Sequence, residues 1–283
     1  MATVVSMINM KGGVGKTTLT FNFAWYAAWQ HDLRVLAVDL DPQSNLSQYF
    51  MGAEDYLEHI NETRPTVVEI FEQFSPPSAT RGAPTPLDPN NVICKLFEWD
   101  DESLLHLIPS RLELAWTLKN PTEKSHLLPN FLAGVQEQYD LILIDCAPTE
   151  SILTTSAYLS SRYVIVPLKP EFLATIGLPL LARSLEEFRA SRSDQTIEIA
   201  GIVFNDADPQ RKKSEHNKSR RDVRAVAEEH DWPVFEHEAR HSDSYSTGSR
   251  AGTAIFQTKY ARDYVKDEFR LVGDEFLQRI AIL

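Results

Sequence analysis

The sequence predicts a doubly wound α/β fold with a mainly parallel sheet, and three observations predict it. Compact runs rich in Val, Ile and Leu recur without polar alternation, stretches of helical period lie between them, and a glycine-rich turn joins the first run to the first helix.

The first strand is expected over Thr3 to Asn9. A helix should begin within the glycine loop and continue through Ala28, with Phe21, Trp25 and Trp29 at helical spacing as a core stripe. Leu33 to Val38 is a second apolar run after a charged break. Tyr139 to Ile144, Tyr163 to Leu168 and Ile197 to Phe204 repeat the pattern, which suits strands buried on both faces. Leu178 to Ala190 and Asp222 to His230 read as intervening helices, and Thr258 to Ile280 as one or two covering helices. Ser75 to Asn91 crowds Pro76, Pro77, Pro84, Pro86 and Pro89 into a stretch with little periodicity. It reads as a proline-rich surface insertion, around 75–91, within a single domain spanning 1–283.

Composition narrows the function classes. With 43% hydrophobic and 24% charged residues, the 283-residue chain has the balance of a soluble globular protein. The apolar start (Val4, Val5, Met7, Ile8) lacks the basic stretch of a signal peptide, and no run approaches the ~20 apolar residues of a membrane span. A cytoplasmic location is expected. Cys94 and Cys146 are too few for a disulfide framework and have no metal-binding spacing, so both read as buried thiols. His237 and His241 share helical spacing without companions that would complete a metal site, and read as surface residues.

A net charge of −12 excludes a chain coated with nucleic acid, so any such contact must be local. One segment qualifies. Between Arg211 and Arg224 stand Lys212, Lys213, Lys218, Arg220 and Arg221, opposed only by Glu215 and Asp222.

The chemistry is concentrated in Met10 to Thr18, M-K-G-G-V-G-K-T-T, between a strand and a helix as a phosphate loop requires. Gly12, Gly13 and Gly15 let the backbone turn tightly, so that the N–H groups of the loop, Lys11, Gly12, Gly13, Val14, Gly15, Lys16, Thr17 and Thr18, converge on phosphate oxygens at a helix N-terminus. Lys16 would neutralise β and γ phosphates, and Thr17 would offer a hydroxyl to Mg²⁺. Two aspartate clusters follow strands: Asp39-Leu40-Asp41-Pro42-Gln43 and Asp145-Cys146-Ala147-Pro148-Thr149. Strand carboxyl ends are where an open α/β sheet places its ligand crevice.

The loop departs from plain Walker A spacing, with Met10 where the first glycine would stand and Lys11 beside it. In this it resembles the deviant Walker A family, whose members include ParA, MinD and the nitrogenase iron protein. The resemblance extends to Leu107-Ile108-Pro109-Ser110, the strand before Asp145, Val164 to Pro170 and Gly201 to Asn205, leaving out roughly residues 52 to 102. It implies an ATPase using ATP and Mg²⁺, in which Lys11 reaches the partner's phosphates in a nucleotide-sandwich homodimer. It further implies that Asp41 positions the attacking water, from the second shell of the metal or through water, that Asp145 holds Mg²⁺ through water, and that Asn205 reads adenine. Lys11, Lys16 and Asp41 are thus the expected catalytic set, with Asp39 supporting them. Ala147 and Glu150 depart from the family's usual residues after the Walker B aspartate.

Family members differ in output. A ParA-type switch would bind duplex DNA nonspecifically as the ATP dimer, associate with the nucleoid, and be released by a ParB-like or cargo-adaptor protein that stimulates hydrolysis. The basic segment fits that output, with Arg240 and Arg250 as further candidates in the matching region. A MinD-like switch would need a basic amphipathic C-terminal helix, whereas Asp267 to Ile280 is rich in acid, so no membrane partner is expected. A metabolic ATP-dependent enzyme of the same fold is the remaining alternative. No added DNA-reading module is expected before the first strand, so binding should follow phosphate charge.

Overall fold

The computed structural model describes residues 1–73, 87–118, 124–171, 174–192, 195–207 and 214–283. Strand β1 (Thr3–Met7) leads into α1 (Lys16–Gln30) and β2 (Arg34–Leu40). Helices α2 (Asn45–Met51), α3 (Ala53–Asn61), α4 (Val67–Glu72) and the short α5 (Pro89–Val92) precede β3 (Cys94–Glu98) and β4 (Leu104–Ile108). Next come α6 (Leu114–Thr117), α7 (Leu127–Val135) and β5 (Leu141–Cys146), then α8 (Ile152–Ser160), β6 (Tyr163–Leu168) and α9 (Ala174–Ser191). The chain closes with β7 (Glu198–Phe204), α10 (Ser214–Glu229), α11 (Ser244–Arg250) and α12 (Asp263–Arg279).

The sheet order is β3-β4-β2-β5-β1-β6-β7, and every pairing is parallel except β3 with β4. Successive strand residues serve opposite faces. Val4, Leu36 and Ile142 enter one core, with α4, α7, α8 and α9, while Val5, Val35 and Leu141 enter the other, with α1 and α12. Both faces are covered, which is why the strands read as unbroken apolar runs.

Two strands were not legible as such. In β4 the apolar run is interrupted by His106, which is buried because Tyr139 and Glu98 satisfy its two ring nitrogens. The edge strand β3 carries exposed Lys95, Phe97 and Glu98, so it has neither clean alternation nor an apolar run. Phe21 and Trp25 are buried as the core stripe requires, but Trp29 is 52% exposed and lies beyond the stripe. Pro76, Pro77, Pro84 and Pro86 lie outside the described residues. Pro89 opens α5, with Asp88 accepting from the Asn90 N–H as its cap, so the end of the insertion is helical. Helix α10 starts well before Asp222 and carries Lys218, Arg220 and Arg221, whose polar surroundings hid the helical period.

Candidate nucleotide site and basic helix

The loop after β1 is built around Asn9, a buried polar residue closing an apolar strand. Its side-chain amide donates to the Pro167 carbonyl (2.7 Å) and its Oδ1 accepts the Lys11 N–H (2.8 Å), which fastens the loop to the end of β6. Sequence reasoning placed Asn9 in a strand and missed this role; a polar residue ending an apolar run just before the glycines was the available signal.

Gly13 and Gly15 have φ of +73° and +93°, values that suit glycine. Gly15 caps α1, whose first turn contains no acid and no side-chain cap, so its free N–H groups are available to an anion. Lys16 is 6% exposed and folds back, donating to the carbonyls of Asn9 (3.0 Å) and Lys11 (3.2 Å). Burial pulls its pKa down from the ordinary lysine value, partly offset by Asp145. Phosphate oxygens offer such an ammonium a stronger partner than two carbonyls.

Asp39 and Asp145 lie opposite each other in register on β2 and β5. Asp39 is fully buried and accepts from the Ser47 N–H (2.8 Å), the Ser47 hydroxyl (2.6 Å) and the Asp41 N–H (3.2 Å). Burial pushes its pKa up to about 7 against these hydrogen bonds. It thereby ties the start of α2 to the turn that carries Asp41. Asp41 accepts the Gln43 N–H at 2.9 Å, which orients its carboxylate at the cavity wall.

Asp145 is 1% exposed, and burial followed by the charge of Asp39 pushes it well above the usual carboxylate range. Its Oδ2 is buried with no hydrogen-bond partner among the described residues. The Thr20 hydroxyl donates to the other oxygen, Oδ1, at 3.5 Å, and the Thr17 side chain bears on the same carboxyl group. An orphaned acid oxygen beside a threonine hydroxyl fits a hydrated divalent cation, which would supply the missing positive charge. Thr17 and Asp145 could hold it, with Asp41 across the cavity.

The cavity, about 510 Å³, opens at the carboxyl ends of the strands and is lined by Gly12, Gly13, Gly15 to Thr18, Asp41, Asn205 and the 240–246 segment, among others. That is ample for a nucleotide. Asn205 is 6% exposed; its N–H donates to the Leu168 carbonyl (2.7 Å) and its amide to the Val14 carbonyl (3.0 Å), joining the end of β7 to the phosphate loop. Next to it, Asp206 pairs with Lys169 at 2.7 Å and with His241, a polar wall that the sequence did not announce.

Lys11 does not line this cavity. Its ammonium lies 3.3 Å from Glu171, which does not line the cavity either.

The basic residues of this region separate in space. On α10, Lys218, Arg221 and Arg224 are exposed, and Arg250 is exposed at the end of α11. Arg220 turns inward to a two-point contact with Glu238 (2.8 and 2.7 Å), and Arg240 makes a two-point contact with Glu268 (2.5 and 2.5 Å) beneath Tyr264. Their charge is neutralised within the chain, which gives both a packing role. Lys212 and Lys213 lie outside the described residues. His237 and His241 each pair with a carboxylate, Glu275 and Asp206 respectively. Among the described residues, no helix is long and apolar enough to cross a membrane.

A glycine loop on a helix N-terminus, a buried lysine and acidic strand ends on a parallel sheet define a P-loop nucleoside triphosphatase. The AAA domain family matches residues 2–199. A virulence plasmid ParA family protein of Chlamydia psittaci is 30% identical over 208 residues, covering 71% of this chain and 68% of the relative. The chromosome-partitioning ATPase Soj of Treponema pallidum is 29% identical over 212 residues, covering 72% of this chain and 71% of the relative. Among solved structures, an ATP complex of Cyanothece McdA superposes with a TM-score of 0.80 at 16% identity, over 100% of this chain and 97% of the other. The chain belongs to the ParA-type family of P-loop ATPases, and ATP hydrolysis is its class of reaction.

Proposed function

We propose that this chain, a single domain, is an ATP-dependent dimerisation switch. It hydrolyses ATP to ADP and phosphate, and as the ATP dimer it binds duplex DNA nonspecifically to position a plasmid, a chromosome region or a large protein cargo. ATP and Mg²⁺ are its cofactors. The observation that carries the reading is the division between two lysines in one loop: Lys16 is buried against the cavity, whereas Lys11 lies outside its own chain's cavity, beside Glu171. A cation placed there serves a phosphate brought from outside, that of a second protomer.

Each residue then has a task suited to its place. Backbone N–H groups of the loop and the Lys16 ammonium would hold the phosphates, and Thr17 and Asp145 would hold the hydrated Mg²⁺. The ion, when bound, neutralises developing charge on the phosphate oxygens. Asp41, oriented by the Gln43 N–H, places the attacking water, and Asn205 borders the base. Little covalent work is required of the protein in phosphoryl transfer, so positioning and charge supply the rate.

The output surface is the exposed face of α10 with Lys218, Arg221 and Arg224, together with Arg250. Two copies on one dimer gain through effective concentration what a single weak patch lacks. A ParB-like or adaptor partner stimulates turnover and releases the cytoplasmic, nucleoid-bound dimer. Filter binding to unrelated duplexes tests this: retention with a nonhydrolysable ATP analogue and none with ADP supports the switch, and equal retention in both states contradicts it.

A further inference from the structure

At the amino-terminal end of the sheet, away from the nucleotide cavity, four aromatic rings gather where α1 passes the β3–β4 hairpin. Phe97 and Trp99 stack with centroids 5.8 Å apart and planes 12° apart. Trp25 lies 4.7 Å from Phe97, and Trp29 lies 5.7 Å from Trp99. The inner ring, Trp25, is only 6% exposed, yet its indole N–H has no hydrogen-bond partner among the described residues. The outer rings face water: Trp29 is 52% and Phe97 37% exposed.

Core packing explains Trp25 but not this outward aromatic surface, since burying a large ring is favourable and leaving one wet forgoes that gain. The surrounding charge is one-sided. Glu98, Asp100, Asp101 and Glu102 are exposed within the hairpin, and the local cation Lys95 is already paired with Glu98 at 3.1 Å. Nearby Arg34 is likewise engaged, with Asp140 at 2.7 Å. Aromatic faces carry a negative quadrupole that attracts guanidinium and ammonium groups, and adjacent carboxylates reinforce the attraction. The same charge repels DNA and anionic lipid.

We infer that the Trp29, Phe97 and Trp99 surface with its acidic hairpin is a docking site for an arginine- and lysine-rich segment of a partner protein. The surface lies at the amino ends of β2 and β4, while the cavity opens at the carboxyl ends, so a partner can be held while the nucleotide face remains free to meet a second protomer. Its charge is opposite to that of the exposed α10 face, so the chain carries separate addresses for a cationic and an anionic ligand.

The test is calorimetric titration of the full chain, without nucleotide and at low salt, with a synthetic nine-residue peptide of alternating arginine and glycine. Saturable one-to-one binding with a change in tryptophan emission is expected. Asp100→Asn, Asp101→Asn and Glu102→Gln combined should weaken it about tenfold or more, the loss of at least ~1.4 kcal/mol. Trp29→Ser should weaken it several-fold. Glu186→Gln, Glu228→Gln and Glu229→Gln combined, which removes equal charge near the opposite sheet edge, should change it less than twofold. Trp29 is surface-exposed, so its variant remains a valid reading if the hairpin variant is unstable. Equal weakening by both charge triples would reduce the effect to general attraction for an acidic chain and overturn the proposal. Absence of saturable binding would also overturn it, as would self-association of the nucleotide-free wild type that Trp29→Ser abolishes, since the occupant would then be a second copy.

Discussion

A Cβ placed on Gly15 would stand 1.8 Å from the side-chain amide nitrogen of Asn205. The closing residue of the phosphate loop and the residue after β7 are therefore packed without room for a methyl group, at a backbone φ of +93°. Gly15→Ala should incur the left-handed penalty of about 1–2 kcal/mol and displace Asn205 as well. Its affinity for a fluorescent ATP analogue should fall at least tenfold. Asn205→Ala leaves the Val14 carbonyl without its donor and should weaken nucleotide binding by about tenfold, one interaction of ~1.4 kcal/mol. Equilibrium titration of both variants checks this.

Asp41 is fixed by the Gln43 N–H at the cavity wall, apart from the loop amides that would grip phosphate. Asp41→Ala should lower single-turnover hydrolysis by about 10²-fold or more while affinity changes only a few-fold. Quenched-flow measurement of phosphate release separates these effects. A proportional loss of both would assign Asp41 to binding.

The two kinds of arginine on α10 should respond differently. Lys218→Glu, Arg221→Glu and Arg224→Glu combined should abolish retention of unrelated DNA and leave thermal stability nearly unchanged, because these side chains are exposed. Arg220→Ala should instead destabilise the fold by about 2–4 kcal/mol, since it strands Glu238. Each phosphate contact contributes about −0.9 to the slope of log affinity against log salt, so the slope of the wild-type dimer counts its cations.

A pH dependence follows from His106, held below the ordinary histidine value by burial, with Glu98 partly offsetting this. The unfolded chain takes up this proton first as pH falls through about 6.5, so stability must decline below that value and be retained above it. His106→Gln should flatten part of the decline in urea-unfolding free energy between pH 7 and 5.5. His59, also lowered by burial, leaves a remainder.

Strands β1, β2, β5, β6 and β7 and the phosphate loop were legible because their physical signals are local: unbroken apolar runs for two-sided burial, and glycines beside a lysine for an anion cradle. What escaped depends on contacts distant in sequence. His106 passes in a buried strand only because Tyr139 and Glu98 stand on either side of it. Arg220 and Arg240 carry the same charge as Arg221, and nothing nearby in sequence tells that Glu238 and Glu268 would draw them inward. Asn9 becomes a fastener because β6 delivers the Pro167 carbonyl to it.

Sedimentation velocity of wild type and Lys11→Ala with Mg²⁺ and a nonhydrolysable ATP analogue tests the switch most directly. Lys11 stands beside Glu171, outside the cavity lining, while Lys16 and the loop backbone remain to hold nucleotide in the variant. The wild type should dimerise with the analogue and not with ADP, and Lys11→Ala should bind the analogue with near-normal affinity yet sediment as a monomer. A Lys11→Ala dimer as stable as that of the wild type would contradict the account.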